Sequence, residues 1–173
     1  MKILALDSSG LVASVALLEE DNCIAEYTIN YKKTHSQTLV PMLDEVSRMI
    51  DLDMQTIDAI AVAAGPGSFT GLRIGSATAK GLGQALNKPL IGIPTVDGLA
   101  YNLYGTDKVV CPLMDARRNQ TYTGLYEFVK KEEQYELAVI KEQCAVALEE
   151  IIACINELGR EVIFLGDGVP VFK

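Results

Sequence analysis

Two glycine-bearing stretches hold the residue types best suited to chemistry: Asp7-Ser8-Ser9-Gly10, and VAAGPGSFTGLRIG at Val62–Gly75. A glycine-rich turn that feeds a helix offers backbone N–H groups and the positive end of the helix dipole, a combination that attracts phosphate. The spacing fits neither common phosphate motif. A Walker loop carries Lys directly after its second glycine, whereas Leu72 follows Gly71, and Gly65, Gly67 and Gly71 are not spaced as GxGxxG. Gly65, Gly67 and Ser68 are therefore candidates for a generic anion site. A packing role competes with it. Gly71, Gly75 and Ala79 recur at every fourth position and share one helix face. Each glycine inside a helix costs roughly 0.5–1 kcal/mol relative to alanine. Close approach to a neighbour, either the chain's own sheet or another chain, would offset that cost. Packing accounts for more of these residues than anion binding does.

Metal and nucleophile chemistry finds little material. The single histidine, His35, opens a helical stretch and reads as a surface or capping residue. Cys23, Cys111, Cys144 and Cys154 form no CxxC pair, so a zinc ligand set is absent and no metal is expected. The cysteines read as small apolar groups in a reducing cytosol. The net charge of −8 repels nucleic acid, and the basic residues cluster only as the pairs Lys32–Lys33, Arg117–Arg118 and Lys130–Lys131. No apolar run approaches the ~20 residues of a membrane span, and MKILALDSSG lacks the length and cleavage site of a signal peptide. A cytoplasmic location without membrane contact follows as the expectation.

Several elements must position these residues. Ile3–Asp7, Val12–Leu18 and Cys23–Asn30 read as strands joined by short loops, hence antiparallel hairpins. Thr34 and Gln37 have the form of a capping box, ahead of Leu39, Leu43, Val46 and Ile50 at helical spacing. Pro41 is placed in the first turns of that helix, where a missing N–H costs least. A strand over Ile57–Ala64, a helix from Thr70 to Leu86, the strand PLIGI and a helix capped by Thr95 complete residues 1–104 as βββαβαβα. After GTDK the pattern restarts over residues 105–173. Strands at Val109–Asp115, Thr121–Val129 and Glu136–Lys141, a helix over Ala145–Leu158 and a strand at Val162–Leu165 give βββαβ. The organisation is thus a duplicated α/β fold in two lobes of the actin and sugar-kinase type. The second lobe is expected to be truncated, with bare apolar faces on its last helix and strand.

GPGSFTGLRIGSATAKGLG, LALDSSGLVASVAL, THSQTLVPMLDEV, GIPTVDGLA and MDARRNQTY occur in an order that resembles the TsaB (YeaZ) family across roughly residues 2–128. That family is an inactive-looking paralogue of TsaD, which makes threonylcarbamoyladenosine at position 37 of tRNAs. The resemblance implies an actin-like ATPase (ribonuclease H-like) fold and a non-catalytic scaffold role. The implied partners are a TsaD-like catalytic subunit and a TsaE-like ATPase, with tRNA met only through the complex. It also implies a homodimer when the chain is isolated. Where TsaD-like proteins hold a metal with an HxxxH pair, the similar segment here places Asp97 and Tyr101, with no imidazole.

Actin-like ATPases approach phosphate through a hairpin turn with an acidic residue, glycine and hydroxyls. Asp7, Ser8 and Ser9 keep part of that pattern. Asp115 opens the counterpart MDARR, where the side chains of Ala116, Arg117 and Arg118 would crowd a phosphate, and where a strand-end carboxylate paired with an arginine is the simpler role. Gly166 and Gly168 in LGDGV resemble an adenosine-side loop. The expectation is a vestigial nucleotide or anion site without bound cofactor. The competing class, an actin-like small-molecule kinase or a metalloprotease-type hydrolase, needs an open phosphate cleft or a ligand set. The partner surface is placed on two helices: Leu39, Met42, Leu43, Val46 and Met49 on the first, and the Gly71–Gly75–Ala79 stripe on the second.

Overall fold

The computed structural model describes residues 1–31 and 35–172. The capping box predicted at Thr34 lies outside the described residues. The chain divides into two compact units, Met1–Pro94 and Thr95–Lys173. The division falls ten residues before the boundary drawn from the sequence at 104/105, because the helix that begins at Thr95 packs within the second unit.

In the first unit, β1 (Lys2–Asp7), β2 (Ala13–Glu19), β3 (Asn22–Ile29), β4 (Ala59–Gly65) and β5 (Leu90–Pro94) form one sheet in the order β3-β2-β1-β4-β5. The first three strands pair antiparallel, while β4 runs parallel to both β1 and β5. Alternation along β1 and β2 buries Leu4, Leu6, Ala13, Val15 and Leu17. Helix α1 (His35–Met49) contributes Leu39, Met42 and Leu43 to the same core, and α2 (Phe69–Leu86) contributes Ala79. Each large apolar side chain buried here contributes about 1.5–3 kcal/mol. Pro41 sits inside α1, past its first turn. It therefore removes one helical hydrogen bond that the expected position would have spared.

In the second unit, β6 (Val109–Asp115), β7 (Gln120–Lys131), β8 (Gln134–Ala147) and β9 (Val162–Leu165) form a sheet in the order β8-β7-β6-β9. Helix α3 (Thr95–Ala100) covers one face, where Val96 and Ala100 meet Val110, Met114, Tyr126 and Phe128. Helix α4 (Leu148–Leu158) covers the other, where Ile151 meets Val109, Cys111, Leu113 and Leu125. Burial on both faces explains why β6 reads as a continuous apolar run. The helix expected from Ala145 begins only at Leu148. Residues 145–147 extend β8 instead, because they pair with Gln120–Tyr122 of β7.

The strand order of the second unit repeats the first four strands of the first, and α4 occupies the place of α1 in the βββαβ sequence. This is the duplicated α/β fold expected from the sequence. Among the described residues, no helix is long and apolar enough to cross a membrane.

Candidate functional site

The glycine loop of the first unit is closed by its own chain. Ser68 caps α2, its Oγ accepting from the Gly71 N–H at 3.2 Å. The Ser68 N–H itself donates to the Ser9 carbonyl at 2.6 Å, and Leu72 N–H donates to the Ser68 carbonyl at 2.8 Å. The last is the first bond of the helix itself, but the other two fill donors that an anion would need at this helix start. The Ser8 hydroxyl donates to the Gly71 carbonyl at 2.9 Å, and Asp7 Oδ1 accepts from the Ser9 N–H at 2.8 Å.

The same contacts explain the glycines. A Cβ on Gly67 would overlap the Ser9 carbonyl, and one on Gly71 would overlap the Ser8 carbonyl. At Gly75 it would stand 2.6 Å from Ser8 Oγ. Gly65 adopts φ +104°, a left-handed conformation that glycine tolerates, and the bond to Pro66 is cis. The stripe Gly71–Gly75–Ala79 thus faces the β1–β2 turn and strand β4 of its own sheet. As a docking stripe for another chain it is corrected, since all three residues are buried.

The first helix needs a similar correction. Leu39, Met42, Leu43 and Val46 are buried in the unit, and only Met49 of that set is exposed, at 77%. An amphipathic stripe of that width serves the core, because α1 covers β2 and β3. Outside that set, the large hydrophobic side chains exposed on α1 and α2 are Val40 and Phe69, the latter under the Arg73 guanidinium at 3.7 Å. His35 has a role the sequence did not disclose. Its Nε2 stands 2.8 Å from the Gly10 carbonyl, so that nitrogen carries the proton and tethers the β1–β2 turn to the start of α1.

In the second unit, Asp115 ends β6 and accepts from the Arg117 N–H at 2.8 Å. The Arg117 guanidinium lies 3.1 Å from the same carboxylate. Asp115 N–H donates to Asp167 Oδ1 at 3.3 Å. Arg117, Arg118 and Asn119 are all left-handed, with φ of 65°, 53° and 60°. This geometry turns the β6–β7 hairpin in the sense its twist requires, but with residues that adopt it at a cost. Gly166 and Gly168 let the segment after β9 lie on Leu113: a Cβ at either would strike the Leu113 backbone, whose carbonyl accepts from the Gly168 N–H at 2.9 Å.

Asp97 and Tyr101, which occupy the metal-ligand positions of the resembled segment, have separate contacts. Asp97 accepts from the Tyr126 hydroxyl at 2.7 Å. Burial, then that hydrogen bond, then the Asp97 charge hold the Tyr126 phenol well above its usual range. Tyr101 stacks on Tyr104 at 6.3 Å and meets the edge of Phe128 at 5.6 Å. Among the described residues, no group of three or more His, Cys, Asp or Glu is placed to hold a metal ion. All four cysteines are free thiols, and burial pushes the Cys111 thiol up to about 11.

Comparison with known proteins places the chain. The family model described as TsaD, tRNA N6-adenosine threonylcarbamoyltransferase, matches residues 22–173. A Bacillus subtilis tRNA threonylcarbamoyladenosine biosynthesis protein TsaB is 38% identical over all of this chain and 74% of its own length. The Haemophilus influenzae and Escherichia coli TsaB proteins are 37% and 32% identical over 70% and 73% of the chain. Those two matches span 52% and 55% of the relatives' own lengths, so the chain covers about half of each. Among solved structures, YeaZ from Pseudomonas aeruginosa superposes with a TM-score of 0.71 at 30% identity, over 86% of this chain and 68% of that one. The chain belongs to the TsaB (YeaZ) family.

Proposed function

We propose that this chain is a non-catalytic partner subunit in the formation of N6-threonylcarbamoyladenosine at position 37 of tRNA. It binds a TsaD-like catalytic subunit, works beside a TsaE-like ATPase in the cytoplasm, and meets tRNA only through that assembly. The family's named part in this biosynthesis supplies the pathway. The observation that carries the non-catalytic role is the closure of the glycine loop. The Ser9 carbonyl and the Ser68 hydroxyl take N–H groups that a phosphate would otherwise use, and Gly71 and Gly75 press against Ser8 where a nucleotide would need room.

The partner contact uses the outer face of the α1–α2 pair. Val40 and Phe69 are the apolar anchors left exposed there, at 55% and 69%. Isolated copies associate through the same face. The test co-purifies the chain with a TsaD-like subunit and follows ATP hydrolysis by each alone. The chain alone should hydrolyse no ATP above blank, and Val40→Glu should weaken both co-purification and self-association while circular dichroism stays native. Turnover abolished by Asp7→Ala would overturn the non-catalytic reading. Unchanged binding of Val40→Glu would move the partner surface elsewhere.

A further inference from the structure

Strand β8 is an outer strand of the second sheet, with β7 as its one neighbour among the described residues. An outer strand offers backbone N–H and C=O groups to another chain unless something covers them. The turn at Glu132–Glu133 sets Lys131 opposite Gln134, the hydrogen-bonded closing pair of a two-residue hairpin. Gln134, Glu136 and Ala138 therefore turn their backbone groups towards β7, and Tyr135, Leu137 and Val139 turn theirs outward. The Tyr135 N–H follows this pattern: it leaves the ladder and donates to the Tyr104 hydroxyl at 2.9 Å. Edge contacts with Phe128 at 5.5 Å and Tyr135 at 5.7 Å hold the Tyr104 ring in place. Beyond Val139 the pairing with β7 shifts register on both sides of Leu125, so the regular outward row ends there.

We propose that Tyr104 is a guard that closes β8 against a second copy of this chain. The stretch Tyr135–Val139 is self-complementary. Laid antiparallel on its counterpart about Leu137, it sets Tyr135 opposite Val139 at both ends, and these outward pairs would exchange N–H and C=O. Tyrosine opposite a β-branched residue is a favourable cross-strand pair. Glu136 falls opposite Ala138, so no like charges meet. Val139, 43% exposed, would be covered. Registers shifted further along bring in the irregular stretch past Val139, so the register about Leu137 alone keeps the contact within the regular row. That register needs the Tyr135 N–H, which Tyr104 already takes. The Tyr104 hydroxyl oxygen stands where the Val139 carbonyl of the second copy would have to be.

The test measures self-association of the parent chain, Tyr104→Ala and the double variant Tyr104→Ala, Val139→Pro by sedimentation equilibrium, together with hydrogen exchange of the β8 amides. Tyr104→Ala should associate about tenfold or more tightly than the parent, and its Tyr135, Leu137 and Val139 amides should gain protection as concentration rises. Val139→Pro removes an N–H that faces away from β7, which spares the ladder inside the chain, and it should return association to the parent level. Tyr104→Phe keeps the ring but not the acceptor, so its Tyr135 amide should exchange about tenfold or more faster than in the parent. The proposal is overturned if Tyr104→Ala associates no more than the parent, or if its association survives Val139→Pro or leaves those amides unprotected. Unchanged Tyr135 exchange in Tyr104→Phe would overturn it as well. Should Tyr104→Ala fail to fold, Tyr104→Leu keeps apolar packing on Phe128 and carries the same measurements.

Discussion

The Ser8 hydroxyl donates to the Gly71 carbonyl at 2.9 Å, and the Ser8 carbonyl fills the space where a Gly71 side chain would stand. This contact joins the β1–β2 turn to the first turn of α2 across a separation of 63 residues. It assigns the glycines of GPGSFTGLRIG to interlocking the turn and the helix.

Glycine substitutions along α2 should therefore split by position. Gly71→Ala meets a backbone carbonyl that cannot move aside, and the expected loss is about 1–3 kcal/mol despite the gain in helix propensity. Gly75→Leu should lose more and disturb the fold itself. Gly81 has nothing within 4 Å of a built Cβ, so Gly81→Ala should gain roughly 0.5–1 kcal/mol. Urea denaturation of the three variants checks this. A neutral Gly71→Ala would mean that the turn and the helix are not locked together.

Much of this was legible in the sequence and part was not, for identifiable reasons. The order of strands and helices followed from periodicity, because β1, β2 and α1 each bury one face and α4 is strongly amphipathic. The start of α4 was not legible. Ala145, Val146 and Ala147 suit a helix, and only their pairing with Gln120–Tyr122 holds them in β8. The spacing of Gly71, Gly75 and Ala79 gives a helix face but not what that face meets. Ser8, which it meets at Gly71 and Gly75, is distant in the chain. His35 and Gly10 are likewise joined only by the fold.

The Tyr126–Asp97 hydrogen bond should be visible in stability. Tyr126→Phe keeps the ring but leaves the Asp97 carboxylate without this donor, at an expected cost of about 1–2 kcal/mol. The pH dependence has a definite sign. The folded phenol is held above its unfolded value, so the native state binds the proton more tightly. Its contribution is fully present below the unfolded pKa of about 10 and is lost as pH rises above that. Tyr126→Phe should flatten this alkaline decline in thermal melts from pH 9 to 11. An identical slope in both proteins would exclude Tyr126 as its source.

The cysteines should separate by reactivity. Cys23 is exposed, whereas Cys111 is fully buried beside the Thr123 hydroxyl at 3.4 Å, with its thiol pushed up to about 11. Reactivity follows the thiolate and its exposure. Near pH 8, a disulfide reagent such as dithionitrobenzoate should label Cys23 rapidly and reach Cys111 only on unfolding. Peptide mapping of the labelled chain reads the order. Early labelling of Cys111 would show that the second unit opens locally far below its global unfolding free energy.

The β6–β7 hairpin offers a gain in stability that also probes its turn. Arg117, Arg118 and Asn119 all hold positive φ, a conformation that costs an L-residue with a Cβ roughly 1–2 kcal/mol and glycine almost nothing. A primed hairpin turn favours Asn-Gly at its centre. Asn119→Gly should therefore stabilise the chain by about 1 kcal/mol, less the extra freedom that glycine gives the unfolded chain. Arg117→Gly is the contrasting case. It relaxes the same backbone strain but removes the guanidinium that stands 3.1 Å from Asp115. That guanidinium is 81% exposed, and an exposed pair is worth well under about 1 kcal/mol. Both variants should therefore melt higher than the parent chain. A lower melting temperature for Asn119→Gly would mean that its side chain holds the turn through contacts that outweigh the backbone strain.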